Sequence, residues 1–234
     1  MRTAPKLLSD FSARPRVIEV CGDFTNLRIL DLGCGEGYVA RMLLEGGASE
    51  VVGIDLSSEM IAAANISTND SRAQYLVWDL RSGLPELHGH FDLVIAVFLF
   101  NYMTDTEVSH LMMQLTRILR PGGRVIITIP HPALPHLRRS VASKAVFDFC
   151  AEHPYLSNTD TTMLGHILDV DGSLVDVLAV SRTVESFLKA VNLNQWRLDQ
   201  FLELGLPDDP VPERFEPLRG EPLHMLFTFT PLVK

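Results

Sequence analysis

Asp31, Asp55 and Asp79 stand at or beside the ends of short apolar runs, and Gly33, Gly35 and Gly37 follow the first of them at alternate positions. These are the residues of the chain whose types and spacing could do chemistry. Glycine tolerates a left-handed backbone and carries no Cβ, so a chain bent in this way can lie directly against a ligand. A glycine-rich turn between a strand and a helix is a seat for a nucleotide-like molecule. The dinucleotide fingerprint is G-x-G-x-x-G, whereas Leu30-Asp31-Leu32-Gly33-Cys34-Gly35-Glu36-Gly37 reads G-x-G-x-G with an acid two residues ahead. Further along, His131 in Pro130-His131-Pro132 is the best-placed candidate for a general base.

The elements that must position these groups follow from periodicity. Leu27–Leu32 reads as a strand, and Tyr38–Glu45 as a helix that Gly46-Gly47 stops. Val51–Ile54 is a second strand ending at Asp55, after which Ser57 or Ser58 caps a helix with Glu59 in its first turn. Gln74–Val77 is a third strand, and the nearly all-apolar Phe91–Phe98 a central fourth. Thr104-Asp105-Thr106-Glu107 has capping-box form, ahead of a stripe of Val108, Leu111, Met112, Leu115, Ile118 and Leu119. Pro121-Gly122-Gly123 is expected to turn the chain into a fifth strand, Arg124–Ile129. Strand and helix thus alternate four times in the first 130 residues. That argues for a parallel, helix-covered sheet with right-handed crossovers. Gly33–Gly37, Asp55, Asp79 and Phe98–Tyr102 all fall at strand carboxyl ends, where such sheets bind ligands.

The second half is less regular. A helix is expected near Leu137–Phe149 and a hairpin around Asp171-Gly172-Ser173. An amphipathic helix should span Thr183–Val191, with Val184, Phe187, Leu188 and Val191 on one side. Gln195–Leu202 and Leu223–Leu232 read as antiparallel partners, joined by a charged, proline-rich loop over Gly205–Pro222. One domain is expected: a cap segment (1–26), a cofactor-binding half (27–130), a substrate-region insertion (131–180) and a closing helix and strands (181–234).

Composition narrows the partners. The formal net charge of −9 repels phosphate backbones and anionic membranes, so no nucleic-acid or membrane partner is expected. No apolar run reaches the ~18 residues of a membrane span, and Met1–Lys6 lacks a signal-peptide core. Cys21, Cys34 and Cys150 are scattered, with no C-x-x-C pair. They read as reduced thiols in a cytoplasmic protein, with no metal site.

Leu30–Gly37, Val52-Gly53-Ile54-Asp55-Leu56-Ser57, Trp78-Asp79-Leu80, Phe91–Ala96 and Leu119-Arg120-Pro121-Gly122-Gly123-Arg124 together resemble the class I S-adenosylmethionine-dependent methyltransferases. The resemblance spans roughly residues 27–130. It implies a Rossmann-like, doubly wound α/β fold with helices on both faces: a seven-stranded, mostly parallel sheet in order 3-2-1-4-5-7-6, the last strand antiparallel. It implies S-adenosyl-L-methionine as cofactor, with the turn Gly33–Gly37, which includes Cys34 and Gly35, under its methionine part and Asp31 facing its ammonium group through water or backbone. Asp55 would accept both ribose hydroxyls, and Asp79 the exocyclic amine of adenine beside the Leu80 backbone. Leu56, Met60 and Val97 would border the apolar faces of adenine and ribose, or else serve as ordinary core. Tyr102 either closes over the sulfonium or packs under a helix. Cys34 reads as a small side chain in a tight turn, without a basic partner to make it a nucleophile. Asn101-Tyr102 lacks the prolines of the DNA amino-methyltransferases, which counts against that substrate class.

The function implied is methyl transfer to O or N of a small organic molecule. The apolar and aromatic content of residues 131–180 suits a pocket for such an acceptor. His136 and His166 lie in the same region, and Arg138-Arg139 reads as a solvated helix face. An NAD-dependent oxidoreductase would use Asp55 equally well, but the glycine spacing, Asp79 and the Pro-Gly-Gly turn favour the methyl donor. A non-catalytic binder of the same cofactor is the other alternative.

Overall fold

Local signals set the first half of the chain, and the computed structural model, which describes residues 7–151, 153–157, 160–169 and 171–232, shows them in place. Two short helices, α1 (Ser9–Ser12) and α2 (Arg14–Cys21), lead into β1 (Arg28–Leu32), α3 (Tyr38–Glu45), β2 (Glu50–Asp55), α4 (Ser58–Ser67) and β3 (Ala73–Val77). Then come β4 (Phe91–Val97), α5 (Asp105–Ile118) and β5 (Leu119–Pro130). Ser57 caps α4 by accepting from the Met60 amide at 3.2 Å. Thr104 and Glu107 form the expected capping box on α5, a device worth about 1 kcal/mol.

The strands form a seven-stranded sheet. With β9 (Trp196–Leu204) and β10 (His224–Pro231) its order is β3-β2-β1-β4-β5-β10-β9. β10 runs antiparallel to both β5 and β9, while β1 to β5 pair in parallel. Alternation along the strands divides the core into two layers. Leu30, Leu32, Val94 and Ala96 pack with Val108, Leu111 and Leu115 of α5 and with Phe187 and Val191 of α7 (Val184–Val191). Ile29, Leu93, Ile95 and Ile126 pack on the other face with Val17 of α2 and Val39 and Leu43 of α3. Strand order reverses between β1 and β4, so their carboxyl ends flank the crevice where such sheets take ligands.

The second half departs from the sequence reading in several places. The helix expected over Leu137–Phe149 is only α6 (Val141–Val146). Phe147–Phe149 becomes β6, pairing with Ile167, His166 and Gly165 of β7 (Thr161–Leu168). Gly165 permits this, because a Cβ there would meet the Asp148 carbonyl and the Phe149 ring at 2.4 Å. β7 pairs with β8 (Leu174–Ser181) through the expected hairpin; Val170 of that turn lies outside the described residues, as do residues 1–6 of the cap segment. The three strands β6–β8 share a small core of their own with Leu8, Leu134, Phe215 and Leu218. Phe215 and Leu218 come from a 3₁₀ turn, Glu213–Leu218, inside the segment expected to be loop.

Two further expectations change. Pro121-Gly122-Gly123 does not precede β5 but bulges within it, since Leu119 pairs with Phe91 and Arg124 with Leu93. Arg139 is not solvated. It is buried between Asp148, at 2.8 Å, and Glu221, tying β6 to the segment ahead of β10.

Candidate cofactor cleft

The turn after β1 is held by its own backbone. The amides of Gly33 and Cys34 both donate to the Ile54 carbonyl, at 2.8 and 3.0 Å, which locks the turn to the end of β2. Gly33, Gly35 and Gly37 have φ of +69°, +53° and +80°, the left-handed region that disfavours side chains. Their surroundings differ. A Cβ on Gly37 would sit 2.6 Å from the Tyr75 hydroxyl, so that glycine is needed for packing. A Cβ on Gly35 would meet nothing within 4 Å, so its outer side is open for close approach.

Asp31 lies in β1 just ahead of this turn, 2% exposed, and its Oδ2 has no hydrogen-bond partner among the described residues. Burial pushes its carboxyl up to about 7; the Arg14 guanidinium opposes that shift and Asp55 adds to it. Asp55 is differently placed. Its Oδ2 accepts from the Gly35 amide at 2.8 Å and its Oδ1 from the Ser57 amide at 2.9 Å. Each oxygen keeps acceptor capacity beyond the amide that orients it. Asp79 caps the short turn Leu80–Ser82, accepting from the Arg81 amide at 3.0 Å and, bidentately, from the Arg81 guanidinium. That guanidinium holds the Asp79 carboxyl below the usual carboxylate range. Cys34 stays a thiol, because burial and the neighbouring Asp31 and Asp55 push its ionisation up.

Gly33, Asp55, Leu56, Asp79, Leu80 and Tyr102 come together as walls of one cleft of about 480 Å³. This lies within the size range of small-molecule sites. Asp31, Cys34 and Gly35, at the strand end and turn beside it, are not among its walls. Met60 and Val97, expected as borders, are not among the wall residues. Met60 is exposed on the first turn of α4, and Val97 packs into the opposite core layer.

His131, expected as the base, does not reach the cleft. The Ala133 amide donates to its Nδ1 at 3.2 Å, and its Nε2 lies 2.8 Å from a Glu203 carboxylate oxygen. An imidazole engaged at both nitrogens has no lone pair free for an acceptor's proton. Its buried position holds β5 against β9 instead. His166 bonds the Lys144 carbonyl at 2.8 Å, and the His136 ring stacks edge-on to Tyr155.

The sequence reading missed Trp78 and Arg81 as cleft walls, although both stand beside Asp79. It also missed Thr162, Leu178, Ala179 and Val180, which close the far side from the β7–β8 hairpin. No local signal marks these four, since only the pairing of distant strands brings them over the cleft. Phe98, another wall, takes φ +59° at the end of β4, a conformation uncommon for an aromatic residue.

An order of five parallel strands with a reversed strand slotted between the fifth and the edge, and a ligand crevice at the β1/β4 switch, defines a Rossmann-like methyltransferase fold. The methyltransferase domain family matches residues 29–123. The crystal structure of an S-adenosylmethionine-dependent methyltransferase from Mesorhizobium loti superposes with a TM-score of 0.65 at 26% identity, covering 92% of this chain and 95% of that one. Demethylmenaquinone methyltransferase of Lactococcus lactis subsp. lactis is 32% identical over 127 residues, 52% of this chain and 50% of the relative. Ribosomal protein L11 methyltransferase of Burkholderia thailandensis is 33% identical over 102 residues, 43% of this chain and 31% of the relative. The chain thus spans about half, or less, of the length of these curated relatives. Residues 29–123 carry the likeness to a methyltransferase domain, and the fold as a whole is similar to that of the Mesorhizobium loti S-adenosylmethionine-dependent methyltransferase.

Proposed function

We propose that this chain transfers a methyl group from S-adenosylmethionine to an oxygen or nitrogen of a small, mostly apolar organic molecule. The observation that carries the reading is the buried Asp31 carboxyl, whose Oδ2 has no partner among the described residues, at the entry to a glycine turn in which Gly35 leaves open space. A buried acid without a partner is unfavourable, and a ligand ammonium supplies the missing charge and donors. Asp55, already oriented by two amides, accepts the ribose hydroxyls with its remaining lone pairs. Asp79 accepts from the adenine amine beside the Leu80 backbone, sharing its oxygens with Arg81. Leu56 and Tyr102 cover apolar faces at the rim, where both are left exposed.

When bound, S-adenosylmethionine supplies a methyl group on a positively charged sulfur; the acceptor's lone pair takes it, the carbon–sulfur electron pair returns to sulfur, and the acceptor's proton passes to solvent. The chain's own contribution is alignment, which is worth on the order of 7–11 kcal/mol in well-oriented systems. Within it, residues 27–130 hold the cofactor, and the 131–180 insertion with the cap segment chooses the acceptor.

A small acceptor is supported by the hairpin wall of Thr162, Leu178, Ala179 and Val180, which narrows the cleft, and by the net charge of −9. The relative named for demethylmenaquinone suits this better than the one named for ribosomal protein L11. No helix among the described residues is long and apolar enough to cross a membrane. Cys21 and Cys34 are buried free thiols, which supports a cytoplasmic setting. The test is S-adenosylhomocysteine release over a panel of phenols, amines and carboxylic acids, with ribosomal and tRNA fractions alongside. Turnover is expected with small acceptors; release only with the macromolecular fractions would refute the acceptor class.

A further inference from the structure

A second, smaller pocket adjoins the cleft and shares Phe98 and Tyr102 with it as walls. Its volume is about 120 Å³. That is near the ~150 Å³ of an apolar cavity that takes up benzene. Leu8, Pro130, Phe147, Phe149, Ile167 and Val177 make most of its surface, and among the described residues no carboxylate, lysine or arginine lines it. Ser9, Asn101, Tyr102 and His224 are its polar lining residues, and two of them are buried with an unpartnered atom among the described residues. Asn101 is 6% exposed and His224 4% exposed, and neither Asn101 Oδ1 nor His224 Nδ1 has a partner among the described residues.

The tautomer of His224 follows from its neighbour. Ser12 donates its one hydroxyl proton to the Leu8 carbonyl at 2.9 Å. The same Oγ lies 2.8 Å from His224 Nε2, so it accepts there and Nε2 carries the ring proton. Nδ1 is left as a bare lone pair. Burial, with His131 behind it, holds the ring's pKa down to about 3, so the imidazole is neutral throughout the physiological range. Phe98 fixes the ring edge-on at 4.8 Å, and its own amide is anchored to the Thr128 carbonyl at 2.9 Å. A buried acceptor left without a donor is costly, and strained backbone next to it is a feature of ligand sites.

Resting on the reading of the cleft as a methyl-donor site, we infer that this pocket seats the methyl acceptor and that Nδ1 of His224 receives a hydrogen bond from it. The ligand it fits is an uncharged, ring-sized apolar group bearing one O–H or N–H donor. A charged group would be left unpaired among these walls. Sequence alone gave no sign of this, because His224 is the first residue of β10 and meets Leu8 and Ser12 only through the fold.

Phenol and toluene, alike in shape but differing in the hydroxyl, serve as probes. Their binding is measured by ligand titration with S-adenosylhomocysteine present and absent, together with the histidine Nδ1 resonance of labelled protein. Phenol is expected to bind saturably, about fivefold or more tighter than toluene, and to shift the Nδ1 signal. His224→Phe should abolish that preference, and Val177→Trp should abolish phenol binding by filling the pocket. Both should leave S-adenosylhomocysteine affinity unchanged. If His224→Phe does not fold, Val177→Trp and the Nδ1 resonance decide. Equal binding of the two probes, an unmoved Nδ1 signal, or phenol binding that survives Val177→Trp overturns the inference. Absence of S-adenosylhomocysteine binding to the unaltered protein is a separate outcome, which overturns the cofactor reading instead.

Discussion

Cofactor affinity should depend on pH through Asp31. Its carboxyl is buried and raised to about 7, with one oxygen unpartnered. A ligand ammonium pairs with the ionised form, so binding must draw on whatever fraction of Asp31 is ionised. With a pKa near 7, that fraction rises from about 0.03 at pH 5.5 to about 0.5 at pH 7.0, while a ligand α-amino group stays protonated. Affinity for S-adenosylhomocysteine is therefore expected to rise about 16-fold over that interval, and binding at pH 6 should release close to one proton. Calorimetry in two buffers of different ionisation heat reads both quantities at once. Asp31→Asn should bind weakly, with no such pH dependence. The sign for stability runs the other way. The folded pKa lies above the unfolded one, so folding holds a proton that the unfolded chain loses as pH rises from about 4 to 7. The unliganded protein should lose stability across that window, and Asp31→Asn should remove the loss, giving a higher Tm at pH 8. Affinity that is flat from pH 5.5 to 7.0, or unaltered in Asp31→Asn, would refute the pairing of Asp31 with the ammonium.

Other substitutions test the rest of the site. Asp55→Ala should weaken S-adenosylhomocysteine by about 1–3 kcal/mol in calorimetry, because it removes charge-assisted acceptors; unchanged affinity would place the ribose elsewhere. Gly53→Ala puts a Cβ 2.6 Å from the Tyr75 ring and 2.9 Å from Cys34 Sγ. It should cost about 1–3 kcal/mol in denaturant unfolding, as overpacking does, and a neutral result would mean that Tyr75 yields freely. His131→Ala should lower Tm by breaking the bonds to Glu203 and Ala133 while leaving cofactor affinity and the pH profile of turnover unchanged. A displaced pH profile would restore His131 as a base.

What the sequence made legible was local. Leu30–Gly37 carries strand, turn and helix start within eight residues, and the structure holds each where spacing put it. Asp55 and Asp79 were legible for the same reason, the first ending β2 and the second standing two residues beyond β3. What was hidden depended on distant partners. Phe147–Phe149 is too short to announce a strand, and pairs only because Gly165 clears the space opposite it. Arg139 looks solvated beside Arg138 until Asp148 and Glu221 enclose it. Pro121-Gly122-Gly123 reads as a turn, yet Asp92 draws Arg120 in at 2.8 Å and the segment bulges within β5. His131 was well placed in sequence, but its ring is claimed by Glu203, 72 residues away.

Because β10 runs against its neighbours, it delivers its amino end, not its carboxyl end, to the edge where β1, β2 and β4 finish. The pocket at that edge is thereby closed by two remote stretches, Leu8–Ser12 and His224, both outside the 29–123 segment shared with the methyltransferase domain family. On the proposed reading, Phe98, Asn101 and Tyr102 of the shared segment meet residues from outside it at this pocket. If the pocket seats the acceptor as proposed, substitutions at Leu8, Ser9 or His224 change which molecule is modified while leaving Asp31, Asp55 and Asp79 untouched.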